Sequence, residues 1–177
     1  MREEPRILRN KHQPLPILVV DDEHDHALFI QETLLETKIP LRVQLVESGE
    51  EAIAYLSGQG RFADRAAHPF PLLVLLDLRM PGIGGFGVLR WLCAHSELKE
   101  SLDIIALSAI QSSKEIDVVY ELGAHYFWAK SDCAALKDQV CRVHESWIED
   151  IEHMPDSGDS PFRTESEGSE AAMPQTR

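Results

Sequence analysis

The sequence contains few cysteines, and their spacing argues against a disulfide framework or a zinc site. There are three, Cys93, Cys133 and Cys141, an odd number without a C-x-x-C pair. Zinc sites and redox motifs need closely spaced thiols, and disulfide-rich domains need an even set. All three fall in segments with a helical pattern, where a free cysteine usually packs as a small apolar side chain. We therefore expect buried cysteines with no redox or metal role.

Long apolar runs and a surplus of positive charge are also absent. No run approaches the roughly 20 apolar residues that span a bilayer. The N-terminal segment MREEPRILRNKHQPLP lacks the apolar core of a signal peptide. Lys and Arg total 17 against 30 Asp and Glu, a net charge of −13, which argues against nucleic acid or an anionic membrane as the main partner. These features predict a cytoplasmic protein.

The composition divides the chain into one folded unit and two polar ends. Its 177 residues, 44% of them hydrophobic, suffice for one domain with a proper core. Residues 1–15 are polar and contain Pro5 and Pro14, which predicts a flexible arm. Residues 154–177 are rich in Ser, Glu, Gly and Pro, which predicts a disordered acidic tail. We expect the folded domain to span residues 16–153, with no effector domain after it.

Short apolar strands alternate with amphipathic helices through this domain. Five segments predict strands, at residues 17–20, 41–46, 72–76, 104–107 and 126–129. A helical pattern follows each strand, and the apolar faces of the first and last helices are predicted to contain Ala27, Ile30, Leu34 and Leu35, and Leu136, Val140, Val143, Trp147 and Ile151. The run LLVLL is apolar at every position, so both of its faces must be covered. Five β–α units therefore predict an α/β domain with a doubly wound, five-stranded parallel sheet and five helices.

Helix boundaries are signalled by local motifs. Ser48-x-x-Glu51 and Ser112-x-x-Glu115 have the spacing of capping boxes, which predicts that the second and fourth helices start there. Gly123 predicts the end of the fourth helix, because glycine readily adopts the left-handed conformation that terminates helices.

Polar residues follow four of the five predicted strands. Asp21 and Asp22 follow the first strand, Asp77 the third, Ser108 the fourth and Lys130 the fifth. Ligands bind at the carboxyl ends of the strands in such sheets, so we expect these side chains to meet. Each has an ordinary reading on its own, since an acidic pair can cap a helix and a lysine is usually solvated. Together, three carboxylates at one edge would repel one another, and a divalent cation would relieve the repulsion.

The donor types indicate the metal and the chemistry. Ligands that are all oxygen favour Mg²⁺, with Mn²⁺ as an alternative, and Mg²⁺ keeps water positions that phosphoryl oxygens can take. With a lysine and a hydroxyl in reach, the set predicts phosphoryl transfer in which Asp77 is the nucleophile and forms an acyl phosphate. His24 and His26 flank the acidic pair, but their side chains are expected to diverge, which predicts surface residues.

Four segments of the chain resemble the receiver domain of two-component response regulators. They are VVDDEHDH, LLVLLDLRMPGIGGFGVL, IIALSA and YFWAK, in this order, and the resemblance extends from Ile17 to Ile151. It implies a flavodoxin-like fold with strand order 2-1-3-4-5, and a phosphoryl group taken from a sensor histidine kinase or a phosphotransfer protein. The implied output is a downstream protein, unnamed by the sequence, that binds a phosphorylation-switched face of the fourth helix, fifth strand and fifth helix. A homodimer is compatible with the sequence.

The resemblance also assigns a role to each residue of the predicted site. Asp77 is implied to be the phosphoacceptor and a metal ligand, and Asp21 and Asp22 the acidic pair that holds Mg²⁺. The main-chain carbonyl of Arg79 is implied to be the remaining protein ligand. The roles of switch hydroxyl, phosphoryl-binding lysine and switch aromatic are implied for Ser108, Lys130 and Phe127.

Two substitutions, one cation and one long connection distinguish this chain within the family pattern. Ser131 follows the lysine where proline is usual, and Gly84 replaces the aspartate of the M-P-x-M-D-G loop, which removes a helix cap. Arg79 is large and cationic, and it is predicted to shield the phosphoryl group or to attract an acidic partner. Residues 57–71 resemble the insertion of single-domain regulators that pair with phytochrome-type kinases; the alternative is a tolerated surface loop.

Two other functions remain open from the sequence. An aspartate-nucleophile phosphatase needs a second carboxylate two residues after the nucleophile, where this chain has Arg79. A receiver-like adaptor would act without phosphorylation; the complete set of site residues argues against it, while Ser131 and Gly84 leave room for it. We therefore expect a stoichiometric phosphoacceptor that catalyses its own phosphorylation and dephosphorylation, and not a turnover enzyme.

Overall fold

The computed structural model of the protein describes residues 13–109, 112–130 and 132–153. The predictions for residues 1–12 of the arm, for the tail at 154–177 and for Ser131 lie outside the described residues. The same holds for the side chains of Cys133 and Ile151.

Strands and helices alternate along the chain, as the sequence predicts. The strands are β1 (Leu15–Val20), β2 (Leu41–Val46), β3 (Leu73–Asp77), β4 (Asp103–Ser108) and β5 (Tyr126–Ala129). The helices are α1 (His24–Leu35), α2 (Gly49–Ser57), α3 (Gly84–Ala94), α4 (Ser96–Lys99), α5 (Ser113–Glu121) and α6 (Cys133–His153), with a 3₁₀ turn at Gly60–Phe62. Within the described residues, no helix combines the length and apolar character that crossing a membrane requires.

The strands form one parallel sheet in the order β2-β1-β3-β4-β5, which confirms the predicted α/β fold. The described residues form six helices and not five, because α4 adds a single turn between α3 and β4. A four-residue helix is too short to show a helical repeat, so no periodicity predicts it. The predicted fourth and fifth helices are therefore α5 and α6.

Helices cover both faces of β3, and all five of its residues are buried. Leu73 and Leu75 pack in a cluster with side chains of α1 and α6. Val74 and Leu76 pack in a second cluster with side chains of α2 and α3. Successive side chains of a strand point to opposite faces of the sheet, so the two clusters form separate layers. Asp77, the last residue of β3, is thus carried by a strand that is fixed from both sides.

Side chains cap α2 and α5 where the sequence predicts. Ser48 Oγ accepts a hydrogen bond from the Glu51 amide at 3.2 Å, and Ser112 Oγ accepts one from the Glu115 amide at 3.2 Å. Gly123 follows α5 with φ of 85°, which confirms the predicted left-handed stop.

Two predictions of buried side chains are wrong. Leu35 is 63% exposed, whereas Leu34 is fully buried. Neighbouring helical residues point about 100° apart, so only one of the pair can face the sheet. Cys93 is exposed for the same reason, since the adjacent Leu92 faces the core. Cys141 is intermediate in burial.

The connection between α2 and β3 runs along the surface and packs against the domain at a few positions. Both sequence-based interpretations of it, a phytochrome-type insertion and a tolerated surface loop, stay predictions. Phe62 is 3% exposed, and its ring meets that of Tyr55 edge-on at a centroid distance of 5.1 Å. Tyr55 Oη donates to the Pro69 carbonyl at 2.8 Å. The Arg65 guanidinium donates to the carbonyls of Tyr55 and Leu56, both at 2.7 Å. Arg65 thereby adds a charged donor to two carbonyls in the last turn of α2, where the Tyr55 carbonyl also accepts from the Gly58 amide at 3.1 Å.

Replacing Arg65 with methionine is expected to lower the free energy of unfolding by about 1–2 kcal/mol, because two helix-end carbonyls lose a charged donor. Urea denaturation measures the difference. Arg61→Met is the matched control, because the Arg61 side chain is 63% exposed and pairs with Glu51, which is 37% exposed. Its effect should stay below about 0.5 kcal/mol. Equal effects of the two variants would show that Arg65 does not brace the connection.

Candidate functional site

The predicted polar residues meet at the carboxyl edge of the sheet because backbone hydrogen bonds continue past the strand ends. The Asp21 amide donates to the Val46 carbonyl at 3.1 Å, which extends the pairing of β1 with β2. The Lys130 amide donates to the Ser108 carbonyl at 3.1 Å, which extends the pairing of β4 with β5. Asp77 pairs in register with Leu107 of β4. The edge is therefore an ordered part of the sheet.

Asp77 lies at the centre of this edge and is 1% exposed. Its Oδ2 is 2.8 Å from Lys130 Nζ, and its Oδ1 accepts a hydrogen bond from the Arg79 amide at 3.0 Å. A buried carboxylate is costly unless it is paired and hydrogen-bonded, and here each oxygen has a partner. The surroundings therefore hold Asp77 as an oriented anion.

Asp21 is fully buried beside it and shares the same lysine. Asp21 Oδ2 is 3.0 Å from Lys130 Nζ, and Asp21 Oδ1 accepts a hydrogen bond from the Glu23 amide at 3.0 Å. His26 Nδ1 lies within hydrogen-bond distance of Asp21 Oδ2. Lysine and histidine thus contact one oxygen of Asp21 from two sides.

Lys130 supplies positive charge between the two buried carboxylates. Burial acts to lower the pKa of Lys130, but hydrogen bonds and charge attraction to Asp77 and Asp21 outweigh it and raise the pKa above its ordinary value of 10.5. The side chain is 14% exposed. Lys130 therefore stays charged at neutral pH and offsets one of the two buried negative charges.

A third carboxylate leaves the cluster with excess negative charge. Asp22 is exposed, and its carboxylate oxygen lies within 4.8 Å of oxygens of Asp21 and Asp77. Three carboxylates against one ammonium group make a cluster that a divalent cation would neutralise. Oxygen donors of this kind suit Mg²⁺ or Mn²⁺ better than a softer metal. The residues present therefore fit the predicted metal.

The other predicted site residues occupy the expected strands. Ser108 ends β4, is fully buried and pairs in register with Ala129. Phe127 lies in β5, is partly buried and packs against the cluster that α2 and α3 cover. The Arg79 amide donates to the Asp77 carboxylate, and the Arg79 side chain is 55% exposed and contacts Glu115. The carbonyl of Arg79 remains a predicted ligand.

The prediction of a surface role for both histidines is right for His24 and wrong for His26. His24 is 63% exposed and lies 3.2 Å from Glu47. His26 is 18% exposed and contacts Asp21. Side chains on a helix lean toward its N-terminus, so a residue in the first turn of α1 reaches back to the strand end. The sequence signal for this contact is the spacing of five residues between Asp21 and His26, which brings a first-turn side chain close to the strand end.

Comparison with known proteins decides the family. The family model described as "Response regulator receiver domain" matches residues 17–140, most of the folded part. The chain belongs to the response regulator receiver domain family. The resemblance noted from the four sequence segments is thereby confirmed, and the receiver domain accounts for the strand order as well as the acidic cluster.

Several response regulators are similar to this receiver domain. Response regulator Rcp1 of Synechocystis is 28% identical over 141 residues, which cover 78% of this chain and 92% of Rcp1. Its Mn²⁺-bound structure has a TM-score of 0.60 at 27% identity and covers 80% of this chain and 98% of that one.

Two further solved structures match with a TM-score of 0.64. The phosphorylated cyanobacterial phytochrome response regulator RcpA is 29% identical and covers 77% of this chain and 96% of its own. Response regulator RPA3017, from red light signaling in R. palustris, is 32% identical and covers 76% and 94%. The receiver domain is thus close to phytochrome response regulators.

Proposed function

We propose that this receiver domain accepts a phosphoryl group on Asp77 from a histidine kinase, or from a phosphotransfer protein, in a reaction that requires Mg²⁺. The observation that carries the proposal is the Asp77 carboxylate, 1% exposed and oriented by Lys130 at 2.8 Å and the Arg79 amide at 3.0 Å. An oriented anion at a strand end, with a cation beside it, suits nucleophilic attack on phosphorus. The functional unit is proposed to span residues 16–153 and to work in the cytoplasm.

The chemistry follows from these contacts. A carboxylate oxygen of Asp77 attacks the phosphorus of the phosphohistidine, a new O–P bond forms and the N–P bond breaks. The electron pair of that bond stays on the departing imidazole nitrogen. Lys130 neutralises negative charge on the transferred group, and Asp21, Asp22 and Asp77, with the Arg79 carbonyl, would hold Mg²⁺. When bound, Mg²⁺ supplies further neutralisation of phosphoryl charge.

The proposed output is a change at the face made by α5, β5 and α6. Ser108, buried at the end of β4, is proposed to bind the phosphoryl group through its hydroxyl. Phe127 lies in the neighbouring strand, where Ala106 of β4 is its register partner, so it is proposed to follow movement of β4. A downstream protein would bind the altered face.

The kinase is proposed to be of the phytochrome type. Relatives whose names or titles mention phytochromes or red light support this proposal, as does the packed connection at residues 57–71. Its bracing by Arg65 gives the domain a defined surface at that position.

Incubation with acetyl phosphate and Mg²⁺ tests the acceptor role. We expect one acid-stable, base-labile adduct per chain by intact-protein mass spectrometry, absent in Asp77→Asn and absent when a chelator removes the metal. Repeated turnover of a small phosphate ester without an adduct would contradict the proposal in favour of a phosphatase. Partner binding with no adduct in the wild type would contradict it in favour of an adaptor.

A further inference from the structure

The side chain of Arg79 connects the phosphoacceptor loop to helix α5. The Arg79 amide donates a hydrogen bond to Asp77 Oδ1 at 3.0 Å, so the backbone of Arg79 is fixed beside the proposed acceptor. Its guanidinium turns away and donates from Nη2 to both carboxylate oxygens of Glu115, at 3.1 and 3.2 Å. One residue therefore contacts the acceptor through its backbone and α5 through its side chain.

Glu115 is placed to hold this guanidinium firmly. Its side chain is only 7% exposed, so its carboxylate has lost most of its water and depends on a charged partner. The capping-box pattern would direct this carboxylate toward the amide of Ser112, but it reaches Arg79 instead. The carboxylate also lies in the first turn of α5, where the helix dipole favours negative charge.

Glu115 is the one acidic residue, beside three basic ones, among the described residues that line a groove next to it. The described residues that line this groove, about 360 Å³ in volume, are Arg79, Phe86, Arg90, Ser112, Lys114, Glu115 and Val118. Of the three cations in this groove, Arg79 is the one that forms an ion pair with Glu115 among the described residues. A phosphoryl group on Asp77 would be a second anion within reach of the same loop.

Phosphorylation therefore creates a competition for Arg79. A phosphoryl group carries about two negative charges, and a guanidinium pairs with its oxygens through parallel hydrogen bonds. A guanidinium paired there would cover the outer side of the phosphoryl group, where water must approach for hydrolysis. Glu115 offers an alternative anion that is already buried and oriented.

We propose that Glu115 is a positioning residue that holds the Arg79 side chain away from the acceptor and so shortens the lifetime of the phosphorylated state. This inference rests on the proposed phosphorylation of Asp77. Glu115 has no contact with the reacting atoms and acts only through Arg79. The predicted shielding of the phosphoryl group by Arg79 then occurs in variants whose residue 115 carries no charge.

Glu115→Gln is expected to slow the decay of the Asp77 adduct about three- to tenfold, because the released guanidinium pairs with the phosphoryl oxygens. The adduct is formed with acetyl phosphate and Mg²⁺, the donor is removed, and the decay is followed by intact-protein mass spectrometry. Glu121→Gln is the matched control, because it makes the same charge change at an exposed position of the same helix. Its decay rate should equal that of the wild type.

The Arg79→Met background distinguishes positioning from a structural effect. If Glu115 acts through Arg79, Glu115→Gln changes the decay rate in the wild type and leaves it unchanged in Arg79→Met. Unchanged or faster decay in Glu115→Gln, or equal slowing in both backgrounds, would overturn the inference while the proposed function stands. Absence of the adduct in the wild type would instead overturn the proposed function. Circular dichroism confirms that each variant is folded.

Discussion

Replacing Lys130 with methionine is expected to slow phosphoryl incorporation from acetyl phosphate by about 100-fold or more. The ammonium group lies 2.8 Å from Asp77 Oδ2 and 3.0 Å from Asp21 Oδ2, so it is the nearest fixed positive charge to the proposed acceptor. Methionine keeps much of the chain length and removes the charge. Negative charge that builds on the transferred group would then lose a preorganised partner. The rate of adduct formation at saturating Mg²⁺ measures the effect.

The same substitution should destabilise the fold when no metal is added. Asp21 and Asp77 are at most 1% exposed, and without Lys130 they would lose the ammonium group that both contact and keep only amide hydrogen bonds and the His26 contact. Removing one partner of a buried ion pair typically costs several kcal/mol, and we expect a loss of about 2–4 kcal/mol in the free energy of unfolding. Added Mg²⁺ should restore more stability to Lys130→Met than to the wild type, because binding to the native state is linked to folding.

Lys137→Met is the control for both measurements. Lys137 pairs with Glu36 at 2.7 Å, but the two side chains are 35% and 67% exposed, and the pair is remote from the acidic cluster. Its substitution should change stability by less than about 1 kcal/mol and leave phosphorylation unaffected. If Lys130→Met matched the wild type in adduct formation, the proposed role of the lysine would be wrong.

The position of Asp77 could be predicted because the sequence carries two independent signals for it. LLVLL has the unbroken apolar pattern of a strand covered on both faces, and β3 is buried throughout. Parallel strands place their carboxyl ends at one edge, so strand-terminal residues far apart in sequence become neighbours. Asp21 and Lys130 meet Asp77 for that reason alone.

The contacts of His26 and Glu115 could not be predicted in the same way. His26 reaches Asp21 from the first turn of α1. The direction of a side chain in that turn depends on the exact residue at which the helix begins, and sequence patterns do not fix that residue. Glu115 has the spacing of a capping box, but its carboxylate accepts a hydrogen bond from the Arg79 guanidinium, which comes from the loop after β3. Both contacts join side chains whose meeting depends on tertiary packing, which local patterns do not report.

Gly85→Ala is expected to lower the free energy of unfolding by about 2–4 kcal/mol, as much as Lys130→Met. A Cβ at residue 85 would contact the Asp77 carbonyl oxygen and would lie 2.8 Å from Leu78 Cα. Both are backbone atoms at the end of a buried strand, so no side-chain rotation can relieve the contact. Either α3 must move outward or the end of β3 must shift.

Urea denaturation and adduct formation together test this prediction. Gly87→Ala is the comparison in the same helix, because its new Cβ would lie 2.9 Å from Ile83 Cβ, and Ile83 is a 42% exposed residue before α3 whose displacement disturbs no buried strand. Alanine also favours the helix over glycine by about 1 kcal/mol, so Gly87→Ala should stay within about 1 kcal/mol of the wild type. Gly85→Ala should also form the proposed adduct more slowly, because a shift of Leu78 moves the adjoining Asp77. Wild-type stability in Gly85→Ala would mean that α3 is not seated as closely on the acceptor strand as this contact requires.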